Sequence, residues 1–347
     1  MRINKNNDRI LSTGFRVFTA FTFFILFLSI VSALFPTVAG LSDKYIAMPI
    51  RVTVSAISGG FPFPLFEILL LSAPILLVFL CFFIRRLNVK RAAMLCVFLL
   101  EGLIILYSVS LSIPSSISDK KLHGSADITE NSYISAFSAL VAELNDHPPD
   151  REEPFDKINE RVRFAVSDYA QRHSLVYFDP AVKLSVMPEL LTAAGILAHY
   201  SFISGEITLN GLQPYYMQGF TVAHEAAHFL GITKEDEANL FAFAALFESE
   251  SSDLRYFAAL RGFEYLAAPI YSISKEIYNS ALDSLSASVK SDLASSRAFS
   301  ENLGTGFLGK VSAGANDAAI SLRDGRGSLS YSGTAALIAE YLTEPDK

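Results

Sequence analysis

Thr221-Val222-Ala223-His224-Glu225-Ala226-Ala227-His228-Phe229-Leu230-Gly231 sets an H-E-x-x-H pattern in an apolar frame, and Glu235-Asp236-Glu237-Ala238-Asn239 follows after a short turn. The periodicity predicts a helix from near Pro214 or Tyr215 to Leu230, stopped by Gly231 in a position suited to a C-terminal cap. Residues four apart share a helix face, so both imidazoles can converge on one ion while Glu225 stands beside them. Val222, Ala223, Phe229 and Leu230 imply burial, and two buried histidines beside a glutamate need partners, which a metal would supply.

Thr233 is expected to cap a second helix, with Asp236 completing a variant capping box. Leu240, Phe241, Phe243, Ala244, Ala245 and Phe247 make that helix so apolar that burial is expected. Glu235 and Asn239 share its face, so one can bind the metal while the other holds a ligand histidine through its free ring nitrogen. Glu237 points about 200° away from Glu235 at 100° per residue, so the two cannot reach the same ion.

Upstream, Ser201-Phe202-Ile203 and Glu206-Ile207-Thr208-Leu209-Asn210 read as strands around Ser204-Gly205, and a strand-rich stretch is expected near 176–186. The strand at 206–210 is either internal or a site where an extended peptide adds. Helices are expected over 134–144 and from about 154 to 173, with His147-Pro148-Pro149-Asp150 ending the first. Beyond Arg255 the pattern is helical to about Ser296 and then rich in Gly and Ser, with a last helix ending near Leu342.

The hydrophobic fraction of 51% is high for a soluble chain of 347 residues, and the excess lies in the first third. Three runs, about 15–38, 62–84 and 92–113, are each long enough to cross a bilayer. Residues 1–114 are therefore expected to be a membrane anchor and 115–347 a separate domain. Glu101 falls mid-span in the third run, where a helix-packing or neutral carboxyl is expected. Arg2, Lys5, Arg9 and Arg16 precede the first run, and Arg85, Arg86, Lys90 and Arg91 lie between the second and third. Because basic residues stay on the cytoplasmic side, a multi-pass protein of the cell membrane is expected, with its N-terminus inside and the domain after 115 outside. A cleaved signal peptide ending at Val31-Ser32-Ala33 is the rival reading, disfavoured by the length of the apolar run. Cys81 and Cys96 both fall in the apolar runs, so no disulfide supports the outer domain. The net charge of −7 and the lack of a basic stripe outside the membrane-flanking loops exclude nucleic acid as a partner.

The stretch from Val182 to Leu266, with Gly205-Glu206, the H-E-x-x-H, Gly231, Glu235 to Asn239 and Arg255-Tyr256, resembles a bacterial family of membrane-anchored zinc metallopeptidases filed as a domain of unknown function. The likeness extends to Pro62-Phe63-Pro64 and to a late Ser328-Leu329-Ser330-Tyr331 segment. The two helices around the motif are also similar to those of ImmA/IrrE-type peptidases, in which H-E-x-x-H is followed by E-x-x-x-N. That resemblance implies one Zn2+ held by His224, His228 and Glu235, with Asn239 as the partner of a ligand. Lys234 stands where metzincins place a third histidine, so a glutamate-liganded, gluzincin-like class is implied.

The expectation is thus three transmembrane helices followed by a mostly helical α+β, zincin-like metallopeptidase domain. Its substrate would be a peptide or protein, with Glu225 as general base toward a zinc-activated water. Negative charge on the carbonyl oxygen needs a further electrophile, for which Tyr256 and Arg255 are the first candidates and Tyr215 or Tyr216 the second. The alternative is a metal-binding but non-catalytic sensor or scaffold of the cell envelope, which would have no need of Glu225. An intramembrane protease is disfavoured because the apolar run around the motif ends at Lys234.

Overall fold

A computed structural model describes residues 2–115, 128–146, 153–173, 175, 177–324 and 333–343. The polar exit after Ser115, His147 to Asp150, Val176 and Ser328 to Tyr331 lie outside the described residues. The chain divides into two units, one of Met1–Ser118 with Ser201–Glu206 and one of Asp119–Tyr200 with Ile207–Lys347.

In the first unit, α1 (Arg2–Leu34), α4 (Leu65–Arg85) and α5 (Val89–Tyr107) carry the apolar runs. Their segments Thr13–Leu34, Leu65–Arg85 and Val89–Ser115 are long and apolar enough to cross a membrane. The first span stops earlier than the hydropathy implied. Phe35 is extended, as a residue before proline prefers, and Pro36 opens a new helix at its first turn. That helix was not foreseen: α2 (Pro36–Ser42), a π-helical turn (Asp43–Ala47) and α3 (Met48–Gly59) run on without a break. Its buried positions include Ser42, Asp43, Arg51, Ser55 and Ser58, whereas Leu41, Tyr45 and Ile57 are exposed. With these polar residues turned inward beside Ala39, Ala47 and Met48, hydropathy gives little sign of a helix there.

Arg51 explains the inversion. Its Nη1 donates to Asp43 Oδ1 at 2.8 Å and to the Val109 carbonyl at 2.6 Å. Val109 lies in a second π-helical turn (Ser108–Ser112), which α6 (Ile113–Ser115) follows. Around this ion pair pack Ile25, Ala47, Ile105, Val109 and Ile113. Glu101 is buried, and Phe18 of α1 meets Phe98 of α5 at 4.4 Å between centroids. Near α4, whose Pro64 cap brings no side-chain acceptor, Glu206 Oε1 accepts from the Phe66 N–H at 2.7 Å and from Ser204 Oγ at 2.9 Å. Gly205, at φ +65°, belongs to the same turn, and a Cβ there would stand 2.7 Å from the Ser55 nitrogen.

The second unit is helical apart from one small sheet. Its helices are α7 (Glu130–Asp146), α8 (Phe155–Arg172), α9 (Pro188–Ala194), α10 (Tyr215–Phe229), α11 (Glu235–Phe247) and α12 (Ser252–Ile273). They are followed by α13 (Lys275–Ser284), α14 (Ala287–Asn302), α15 (Phe307–Asp324) and α16 (Thr334–Thr343). Helix α11 is buried nearly all round, as its composition implies, because α8, α10, α12 and α16 all pack on it. Strands β1 (Ala181–Leu184), β2 (Ala198–Tyr200) and β3 (Glu206–Leu209) are ordered β1-β3-β2. β2 and β3 are antiparallel, with Ala198 opposite Leu209 and Tyr200 opposite Ile207. Ser201-Phe202-Ile203, expected as a strand, is instead the turn between β2 and β3: the Gly205 N–H closes on the Ser201 carbonyl at 2.7 Å. All four β3 residues are buried and β3 is central, so of its two readings the internal one holds.

Breaking a buried ion pair on one side strands the other charge, at a cost of about 3–5 kcal/mol, whereas replacing both partners by apolar residues is often neutral. Arg51→Ala is expected to lower the thermal midpoint of the detergent-solubilised chain sharply, and Arg51→Met with Asp43→Leu to recover most of the loss. Equal destabilisation by the single and double variants would contradict the role given to this pair.

Candidate metal centre

Helix α10 ends at Phe229 with Leu230 as its C-cap, and Gly231 takes φ +90°. The Gly231 N–H donates to the His228 carbonyl and the Ile232 N–H to the Ala227 carbonyl, both at 3.0 Å. These two bonds define a Schellman turn, and a left-handed residue at this position favours glycine. The turn brings the Ile232 carbonyl back over the last helical turn, 2.7 Å from His228 Nδ1. A carbonyl only accepts, so Nδ1 carries the hydrogen and the lone pair of His228 lies on Nε2.

Lys234, not Thr233, is the residue before α11, and it caps with no side chain. The difference follows from the tightness of the Schellman turn, which leaves Thr233 one position too early. Glu235 therefore occupies the first helical position. Its Oε2 lies 3.4 Å from His224 Nε2 and 3.6 Å from His228 Nε2, and its side chain is only 5% exposed. Ligand atoms of His224, His228 and Glu235 all fall within 4.8 Å of one another, close enough to hold a metal ion. Burial pushes the Glu235 carboxyl up, but the imidazoles of His228 and His224 outweigh it and hold the group far below the usual carboxylate range. Glu237 is turned away, paired with Lys234 at 2.8 Å.

Glu225 is buried next to this cluster without being part of it. Its Oε2 accepts from the Tyr200 N–H at 2.7 Å, which ties α10 to β2. Nothing in the residue pattern marked Tyr200, because the contribution is a backbone N–H. The Ile232 carbonyl was equally silent as a residue type, although a glycine cap after Leu230 implies a returning chain at that point. His224 Nδ1 is buried and has no hydrogen-bond partner among the described residues.

Other candidate side chains are placed elsewhere. Asn239 Nδ2 donates to Thr334 Oγ1 of α16 at 3.2 Å instead of holding a histidine. The Tyr256 hydroxyl, in a fully buried side chain, donates to Asp292 Oδ2 of α14 at 2.6 Å. Burial, and then Asp292, push that phenol well above its ordinary range. Tyr216 donates to the Asp292 carbonyl at 2.7 Å, and Arg255 bonds Glu143 at 2.9 Å and the Ser249 carbonyl at 3.0 Å. A residue's place on a helix surface is legible in sequence, whereas which neighbouring helix covers that surface is not, and α14 and α16 cover these.

No curated protein and no solved structure matches the chain. Residues 43–339 match the family described as Protein of unknown function (DUF3810). The match takes in the unforeseen helix after residue 42, the buried ion pair, the His-His-Glu cluster and the start of α16, and the chain therefore belongs to the DUF3810 family.

Proposed function

We propose that the chain is a membrane-anchored, zinc-dependent peptidase with a zincin-like domain, in which His224, His228 and Glu235 hold one zinc ion and Glu225 is the general base. The observation that carries this reading is the spacing inside the cluster. The separations of 3.4 and 3.6 Å between Glu235 Oε2 and the two Nε2 atoms exceed a normal N–H···O bond. Zinc with tetrahedral bonds of about 2.0–2.1 Å would set its ligand atoms about 3.3–3.4 Å apart, so the cluster is spaced for an ion. A carboxylate with two imidazoles, and no thiol, suits zinc, and three protein ligands are what a catalytic site uses.

Zinc, when bound, would supply a Lewis acid and lower the pKa of water toward neutrality. Glu225 would take a proton from the attacking water and pass it to the amide nitrogen as the C–N bond breaks, leaving a carboxylate and an amine. A buried carboxylate that avoids the ligand cluster has this use, whereas a purely structural metal site has none for it. The Tyr200 N–H holds the Glu225 carboxylate at one oxygen, which fixes its orientation.

The substrate path follows from the sheet. The Ser201 N–H bonds the Glu206 carbonyl and the Asn210 N–H bonds the Leu197 carbonyl, so Leu197, His199 and Ser201 face β3. By alternation, the backbone groups of Ala198 and Tyr200 face away from β3 along the outer edge of β2, where the Tyr200 N–H meets Glu225. An extended peptide that adds to this edge would pass the cluster.

In this reading the N-terminus is inside and the domain after residue 115 outside, which the basic residues at 2–16 and 85–91 support, since Lys and Arg stay on the cytoplasmic side. A reporter active only in the cytoplasm is expected to be silent when fused after Lys347, and strong activity there would reverse this topology.

Glu225→Gln in the full chain is expected to keep zinc and thermal midpoint while cutting casein cleavage by about 10²–10⁴-fold, the range for a lost general base. His228→Ala and Glu235→Ala should lose zinc and some stability, since metal binding is coupled to folding. Glu237→Ala should retain zinc. Metal content, thermal midpoint and casein digestion, measured side by side, check all four. A parent chain that holds zinc yet digests nothing would favour the scaffold reading instead.

A further inference from the structure

Hydrolysis of a peptide bond puts negative charge on the carbonyl oxygen, and a donor aimed at that oxygen is worth about 10²–10³ in rate. Tyr256, Tyr216 and Arg255 are spent on Asp292, Glu143 and Ser249. The face of α12 turned to α10 offers another candidate. Phe257 fits against Gly219, where a Cβ would come within 2.7 Å of its ring. One turn on, the Arg261 guanidinium lies over the Phe220 ring at 5.6 Å. Tyr265 is a further turn along, its ring 6.3 Å from that of Phe220. Phe220 precedes His224 by four residues and His228 by eight, so it lies on the histidine face of α10. Arg261 and Tyr265 thus both lie against Phe220, one turn before His224 on that face, and Tyr265 is only partly buried.

The phenol of Tyr265 is held in one orientation. Arg261 pairs with Glu264, lies over the Tyr265 ring at 5.0 Å, and donates from Nη2 to the Tyr265 hydroxyl at 3.4 Å. An oxygen that accepts from a guanidinium turns its own hydrogen away from it, and no acceptor among the described residues takes that hydrogen. Burial raises the phenol pKa and Arg261 lowers it, while Glu264 and Glu235 add to the rise.

We propose that Tyr265 is a catalytic residue that donates a hydrogen bond to the peptide carbonyl oxygen as charge develops on it, with Arg261 as the positioning residue that orients the phenol. The proton remains on Tyr265 throughout. This role rests on the peptidase reading of the cluster.

The test uses the full chain in detergent, the casein peptide it cleaves fastest, and the phosphinic analogue of that peptide as a mimic of the tetrahedral state. Tyr265→Phe is expected to lower kcat by about 10²–10³-fold with KM nearly unchanged, and to weaken phosphinate binding by a similar factor. Zinc content and thermal midpoint should stay at the parent's values. Arg261→Gln should lower kcat with KM unchanged, and Arg261→Lys should recover part of it, because an ammonium can still donate to the phenol. Should the Arg261 variants fail to fold, Tyr265→Phe decides alone. Tyr265→Phe with the parent's kcat and phosphinate affinity overturns the proposal and leaves the peptidase reading standing, as does a loss of zinc or stability that accounts for the whole effect. A zinc-loaded parent that neither cleaves peptides nor binds phosphinates overturns both.

Discussion

A carboxylate in the centre of a helical bundle is tolerated only where something nearby stabilises its charge, and Glu235 is placed under that constraint. Two imidazoles face it, and both come from one helix because His224 and His228 are four residues apart. For a residue so close in sequence to face that helix, the chain must reverse within five residues of His228. Gly231 makes the reversal possible, since only a residue at ease with positive φ closes the Schellman turn. The same turn presents the Ile232 carbonyl that sets the tautomer of His228. The spacing of the His-His-Glu cluster and the ring orientation of His228 both follow from one tight connection between two helices.

The first unit meets the cost of buried charge in two other ways. Asp43 and Arg51 pair with each other, and Arg51 also takes a carbonyl from a π-helical turn, where the wider ring leaves backbone groups less fully bonded. Glu206 is held by hydrogen-bond donors on the backbone and on a hydroxyl. It accepts the N–H of Phe66 at the first turn of α4, where the helix dipole favours negative charge and the Pro64 cap supplies no acceptor. Side-chain identity alone does not distinguish these solutions. An acid in an apolar neighbourhood has to be stabilised, and the partner becomes visible only when the fold brings it near.

That difference marks what was legible in the sequence. Local relations were: the shared face of His224 and His228, the glycine stop at 231, the all-apolar outline of α11, and three runs long enough to cross a bilayer. Each depends on residues within a few turns of one another. The helix over residues 36–59 was not legible, because its core-facing side mixes Ala39, Ala47 and Met48 with Ser42, Asp43, Arg51, Ser55 and Ser58, and the carbonyl that Arg51 bonds is that of Val109, far along the chain. The strand at 198–200 was displaced in the reading because Ser201-Phe202-Ile203 is the more apolar-looking triplet, yet the Ser201 carbonyl and Gly205 close a turn there. Asn239 was assigned by its position on the face of α11, and α16, about a hundred residues on, takes its amide instead.

Tyr256 and Tyr265 show the same limit within one helix. Both lie on α12, nine residues apart, and both are aromatic groups with a hydroxyl on a helix that crosses α10. Asp292 of α14 lies over Tyr256, so its proton is already committed and its ring is sealed. Among the described residues no acceptor takes the Tyr265 proton; its oxygen is the acceptor of Arg261 and its ring borders Phe220 on the histidine face. The direction in which a hydroxyl can donate is set by what its oxygen already accepts. A neighbouring cation with N–H groups to spare is therefore the better guide to a donor than nearness to the motif in sequence. On α12 that cation is Arg261, because Arg255 is consumed by Glu143 and by the Ser249 and Glu250 carbonyls between α11 and α12.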